Sequence, residues 1–172
     1  MELPLRTADE LIGAHGEARW TARRSGPWAW VLRDLWRLFL EREETIPTDE
    51  LHRFLPGRTR ETVREALAAL EAEDLIVVRD GRLTAAYPFS GEATAFAVIL
   101  PDGRQRYACC AIDALGIAPM LGQGIEVRSR CHHCGEPLAF AVAVGGPAAN
   151  ADSILVWVGE WGGQGERRAT SL

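Results

Sequence analysis

The apolar positions follow two different periods along the chain. From Trp28 to Arg42, Val31, Leu32, Leu35, Leu38 and Phe39 recur at helical spacing, with Arg33, Asp34, Arg37 and Glu41 between them. This predicts an amphipathic helix. Trp28, Trp30 and Trp36 add bulk that belongs with the core. Ile46-Pro47-Thr48 is expected to open a short helix through Asp49 to Phe54, which Pro56-Gly57 breaks. Thr59 then caps a third helix whose inner face is Val63, Ala66, Leu67 and Leu70. Residues 76–78 and 83–85 read as two strands joined at Asp80-Gly81, a hairpin turn sequence. Helix, turn, helix and a two-stranded wing make a winged-helix pattern.

Tyr87 to Ser90 reads as a linker. Beyond it the period shortens to that of strands: residues 95–100, a turn at Pro101-Asp102-Gly103, and a return over Arg104 to Ala108. Ile112, Leu115, Ile117 and Met120 then predict a short helix ending near Gly122. Ile125 to Arg130 and Leu138 to Val144 form a strand pair, and Ser153 to Val158 a last strand. The fold class expected is α+β. An arm (1–27) precedes a winged-helix-like part (28–86) and a small, mostly antiparallel sheet domain (87–172). Within the arm, Thr7 or Asp9 could cap a short helix around Leu11.

Composition narrows the function classes. At 172 residues and 47% apolar, the chain can fill a core. Its net charge of −5 argues against a surface that coats nucleic acid. All 19 basic residues are arginine. No signal-like or membrane-spanning run occurs, so a cytoplasmic protein is expected, with no membrane partner. Its four cysteines then read as thiols or metal ligands rather than a disulfide framework.

The chemistry concentrates where strand gives way to helix, at Tyr107-Ala108-Cys109-Cys110-Ala111-Ile112-Asp113-Ala114-Leu115. Cys110 falls at the helix N-terminus, where free N–H groups and the helix dipole should lower its thiol pKa. Asp113 lies in the same first turn. A soft nucleophile or metal ligand and a proton carrier thus converge. The alternative is a small buried apolar residue beside a carboxylate that only satisfies backbone donors. Cys109, on the opposite face, is expected to pack inward.

This segment resembles the active-site segment of the organomercurial (alkylmercury) lyases, a Tyr-Ala-x-Cys-Ala-x-Asp-x-Leu pattern. Ala86-Tyr87-Pro88-Phe89-Ser90 resembles the stretch leading into that family's catalytic domain. Val127-Arg128-Ser129-Arg130-Cys131 resembles its strand with a structural cysteine, followed here by Gly135-Glu136-Pro137-Leu138. The similarity runs from about Ile46 onward. It implies that Cys110 is a mercury-binding thiolate, that Asp113 delivers a proton to the leaving carbon, and that catalysis requires no cofactor. It further implies an organomercurial as the substrate, with small thiols releasing the product. The family's second mercury-binding cysteine lies on a late strand beyond Leu172, and Ala169-Thr170-Ser171-Leu172 resembles the residues before it. Two expectations follow: a shortened form of the lyase, or a relative without the thiol pair.

Cys131-x-x-Cys134-Gly135 adds a metal-knuckle spacing, since two intervening residues let both thiols reach one ion. His132 and His133, between them, are poorly placed for the same ion. Cys109, Cys110, Cys131 and Cys134 are therefore the candidate ligands for mercury, copper or zinc, at one site or at separate sites. A thiol metal-binding protein without turnover is the alternative to an enzyme. A metal-responsive regulator is another: Arg58, Arg60, Arg64, Arg79 and Arg82 suit DNA contacts, although Glu61, Glu65, Glu71, Glu73 and Asp74 oppose them. Structural use of the helical part is favoured over DNA binding.

Overall fold

A computed structural model describes residue 21, residues 25–151 and residues 153–157. The expected arm helix around Leu11, Val158 and the chain from Gly162 lie outside these residues.

The long helices form where the apolar period predicts. Helix α1, Ala29–Glu41, buries Val31, Leu32, Leu35, Leu38 and Phe39 along one face. Helix α2 is one turn, Leu51–Phe54. Helix α3, Arg60–Ala72, buries Val63, Ala66, Leu67 and Leu70, and Thr59 caps it by accepting a hydrogen bond from Thr62 N at 3.1 Å. Strands β2 (Ile76–Arg79) and β3 (Arg82–Ala86) form the expected hairpin. Asp80 and Gly81 at its tip have φ of 49° and 72°, the left-handed pair that a tight two-residue turn requires.

Two short segments prove to be strands. Ile46–Pro47 is not a helix start but a short strand, β1, paired with Leu83 and Arg82 of β3; proline suits such an edge position because it has no N–H to leave unpaired. Phe89–Ser90 is likewise a strand, β4, rather than part of a linker. It pairs with Ala86 and Ala85 on one side and with Ala108 and Tyr107 of β6 on the other.

Strand β4 joins two halves into one sheet. Strands β5 (Ala97–Ile99), β6 (Gln105–Ala108), β7 (Ile125–Arg130), β8 (Pro137–Ala143) and β9 (Gly146–Pro147) complete it. The order is β1-β3-β4-β6-β5-β7-β8-β9, with β2 on the other edge of β3. Every pairing among the described residues is antiparallel. The α+β class with an antiparallel sheet therefore holds. Residues 153–157 are not a strand. Leu155 and Trp157 there are 71% and 74% exposed.

Helix α4, Ala111–Leu121, packs on β6, β7, β8 and β9 through Ala114, Ile117 and Ala118. It ends at Gly122, whose φ of 65° closes the last turn. One core runs through all of these elements, from Val31 and Leu67 to Ile117 and Val142. Two arginines tie α1 to the sheet. The Leu40 carbonyl, at the C-terminal end of α1, accepts from Arg104 Nη1 at 2.8 Å and from Arg106 Nε and Nη2 at 2.9 and 2.6 Å. Cations there complement the negative end of the helix dipole. Among the described residues no helix is long and apolar enough to cross a membrane.

Candidate active site

The site forms where β6 turns into α4. Backbone bonds fix the chain on both sides as it leaves the strand: Ala108 N donates to Phe96 O at 2.9 Å, and Cys109 N donates to Pro88 O at 3.0 Å. Thr94 Oγ1 adds a bond to Ala108 O at 2.7 Å. Cys110 follows in extended conformation, φ −149° and ψ 177°, and is the N-cap of α4.

Both ends of Asp113 engage the Cys110 thiol. Asp113 N donates to Cys110 Sγ at 3.4 Å, while Sγ donates to Asp113 Oδ2 at 3.1 Å. Sulfur is a weak acceptor compared with a hydroxyl, so capping alone is a poor account of cysteine at this position. The convergence of Cys110 and Asp113 expected from their spacing is present.

The expected fall in the Cys110 pKa is not. Burial pushes the thiol up to about 12, and the Asp113 carboxylate adds to the rise. The backbone N–H groups of Asp113 and Ile112 pull the other way and are outweighed. Removing a thiolate from water costs more than one turn of helix returns. At neutral pH the proton therefore rests on sulfur, directed at the carboxylate.

Cys109 faces inward, as expected of its neighbour. Its thiol donates to Phe89 O at 3.3 Å, and burial, then the charges at Asp113 and Cys110, holds it well above the ordinary thiol range. Tyr87 belongs to the same neighbourhood, a placement its reading as linker missed. Burial raises its phenol strongly, with further contributions from Cys109, Asp74, Asp113 and Cys110. Its carbonyl accepts from Trp36 Nε1 at 2.7 Å, so α1 also buttresses the site. Only the resemblance of Ala86-Tyr87-Pro88-Phe89-Ser90 pointed to this residue; no local period does.

Cys131 and Cys134 sit on the turn between β7 and β8. Cys131 N donates to Glu136 O and Gly135 N to Cys131 O, both at 2.8 Å. Gly135, at φ 73°, allows the tight return. The N–H groups of Cys134 and His133 and the Cys134 side chain hydrogen-bond the Cys131 sulfur and lower its pKa. Cys134, His132 and His133 are exposed. All four cysteines are free thiols. Among the described residues, no group of three or more His, Cys, Asp or Glu side chains is arranged to hold a metal ion. Cys131 and Cys134 thus share one turn, whereas the thiols of Cys109 and Cys110 are turned to different partners, Phe89 O and Asp113 Oδ2.

Comparison with known proteins points to one family. Residues 89–171 match the family model of alkylmercury lyase. An alkylmercury lyase of Streptomyces lividans is 32% identical over 121 residues, 70% of this chain and 53% of the relative. One of Bacillus cereus is 42% identical over 41 residues, 24% of this chain and 19% of that protein. The chain therefore spans about half the length of the Streptomyces relative and a smaller share of the Bacillus one. Among solved structures, the mercury-bound form of MerB2 superposes with a TM-score of 0.62 at 23% identity, covering 77% of this chain and 65% of that one. Alkylmercury lyases need no cofactor for catalysis, and mercury enters as substrate. The chain thus resembles the alkylmercury lyases, and residues 89–171 are the part that matches their family model.

Proposed function

We propose that this protein cleaves carbon–mercury bonds by protonolysis, with Cys110 binding mercury and Asp113 carrying the proton. The observation that carries this reading is the Cys110 Sγ to Asp113 Oδ2 hydrogen bond of 3.1 Å. Mercury is a soft cation and prefers sulfur to oxygen or nitrogen. As the S–Hg bond forms, the S–H bond breaks and its proton passes to the carboxylate it already faces. Asp113, now protonated, delivers that proton to the carbon leaving mercury. Hydrocarbon departs, the carboxylate is restored, and Hg(II) remains on Cys110. The raised thiol pKa serves this sequence, because the resting site already holds the proton the reaction consumes.

A second thiolate strengthens the electron push toward the breaking bond and holds the product ion. Cys109 is ill suited to this role, since its thiol is turned to the Phe89 carbonyl. We assign the role to a small thiol from solution, which also releases mercury afterwards. A cytoplasmic setting fits four free thiols. The N-terminal helices and the β2–β3 hairpin act in this reading as a winged-helix-like structural support (28–86) for the lyase-like part (87–172). Two of the arginines that would face DNA are engaged within the fold: Arg58 lies over the Trp30 ring at 3.8 Å, and Arg64 pairs with Glu61 at 3.2 Å.

The experiment is a single turnover with a simple organomercurial and excess small thiol, assaying hydrocarbon and protein-bound mercury together. Hydrocarbon that disappears in Cys110→Ala supports the lyase. Tight mercury uptake with no hydrocarbon from the unaltered protein would leave a binding protein instead.

A further inference from the structure

The Cys131–Cys134 turn is not used by the chemistry above, yet it is arranged to take the product of that chemistry. We propose that its two sulfurs form a second site, separate from Cys110, that binds Hg(II) as a two-coordinate dithiolate. The ligand's identity rests on the mercury reading; the site itself rests on the turn.

Three observations carry it. First, the two thiols share one tight turn: Cys131 and Cys134 are three residues apart, and Gly135 N closes back on Cys131 O at 2.8 Å. The turn is held from both ends by the Cys131 to Glu136 and Gly135 to Cys131 backbone bonds, with Arg130 Nη1 on the Gly135 carbonyl at 3.2 Å. Second, the donor count selects the ion. Zinc in a structural site requires four ligands, and no third His, Cys, Asp or Glu among the described residues joins this pair. Hg(II) is satisfied by two thiolates in line, and softness favours sulfur. Third, the turn is exposed and lies at the same end of the sheet as Cys110. Strand β5 pairs antiparallel with both β6 and β7, so β6 and β7 run in the same direction. Ala97 is in register with Tyr107 on one side and Arg128 on the other. Cys110 and Cys131 each follow three residues later, just past the ends of β6 at Ala108 and of β7 at Arg130. Binding breaks two S–H bonds, forms two S–Hg bonds and releases two protons to solvent, with no change of oxidation state.

The test is a titration of the full chain with mercuric chloride, followed by sulfur-to-mercury charge-transfer absorbance and proton release, and repeated with zinc chloride. The chain carries Cys110→Ser so that the first site is silent. The expected result is one Hg(II) per chain, with zinc bound far more weakly. Adding Cys134→Ser, at an exposed turn position where folding is checked by circular dichroism, weakens mercury binding by roughly 100-fold. Unchanged mercury affinity on adding Cys134→Ser overturns the proposal, as does zinc binding as tight as mercury. Hydrocarbon formation is not read, so a failed lyase assay leaves this result standing, and the converse also holds.

Discussion

The thiol of Cys110 is held by both ends of a single residue: it donates to Asp113 Oδ2 at 3.1 Å and accepts from Asp113 N at 3.4 Å. One residue thus supplies a stabiliser of the thiolate, its N–H, and a stronger opponent of it, its carboxylate. Replacing Asp113 with asparagine removes the opposing charge and leaves the N–H. The Cys110 pKa then falls, and alkylation by iodoacetamide at fixed mildly alkaline pH speeds up roughly tenfold for each unit of that fall. Peptide mapping of the labelled cysteine checks it.

The same thiol makes folding sensitive to alkali. Its folded pKa, about 12, lies above the ordinary value of 9.0. Between these values the unfolded chain loses the proton and the folded chain keeps it. Stability is therefore unaffected by this group below about pH 9 and falls as pH rises from there toward 12. Cys110→Ser removes part of the decline; the buried Cys109 thiol and, above about pH 10, the Tyr87 phenol supply the remainder. Denaturant melts of both proteins across this range are the measurement.

Gly91 follows β4 at a point of close approach. A Cβ there would lie 2.7 Å from Phe39 Cε1 and 3.1 Å from the Glu44 carbonyl. Phe39 is 1% exposed and cannot swing aside. Gly91→Ala should cost about 1–3 kcal/mol, read as a lower denaturation midpoint at unchanged slope.

Arg106 is buried and places two donors on the Leu40 carbonyl. A lysine keeps the charge but not the planar fork. Arg106→Lys should cost about 1–3 kcal/mol by loosening α1 from the sheet, again measured by chemical denaturation.

The sequence made the long elements legible because burial writes a period into them. Helices Ala29–Glu41, Arg60–Ala72 and Ala111–Leu121 each span several turns, and Asp80-Gly81 names its own turn. The bridges were not legible. Ile46–Pro47 and Phe89–Ser90 are two residues each, too short for any period, and Ile46 pairs with a residue 37 positions away in sequence. The continuous apolar run from Ile154 reads as a strand, yet Leu155 and Trp157 are exposed rather than packed in a sheet. At the site, the spacing from Cys110 to Asp113 gave the pair, since capping geometry is local. It gave the wrong direction for the thiol pKa. The helix end is visible in sequence, whereas the burial that overrides it comes from packing.

The central claim is that the proton travels from the Cys110 thiol to Asp113 and from there to carbon. Its most direct test is a single turnover with a simple organomercurial and excess small thiol, comparing the unaltered protein with Asp113→Asn. Hydrocarbon and protein-bound mercury are followed together. The account predicts that the variant still takes mercury onto Cys110 while hydrocarbon forms roughly 100-fold more slowly. Hydrocarbon released at the unaltered rate by Asp113→Asn would contradict it.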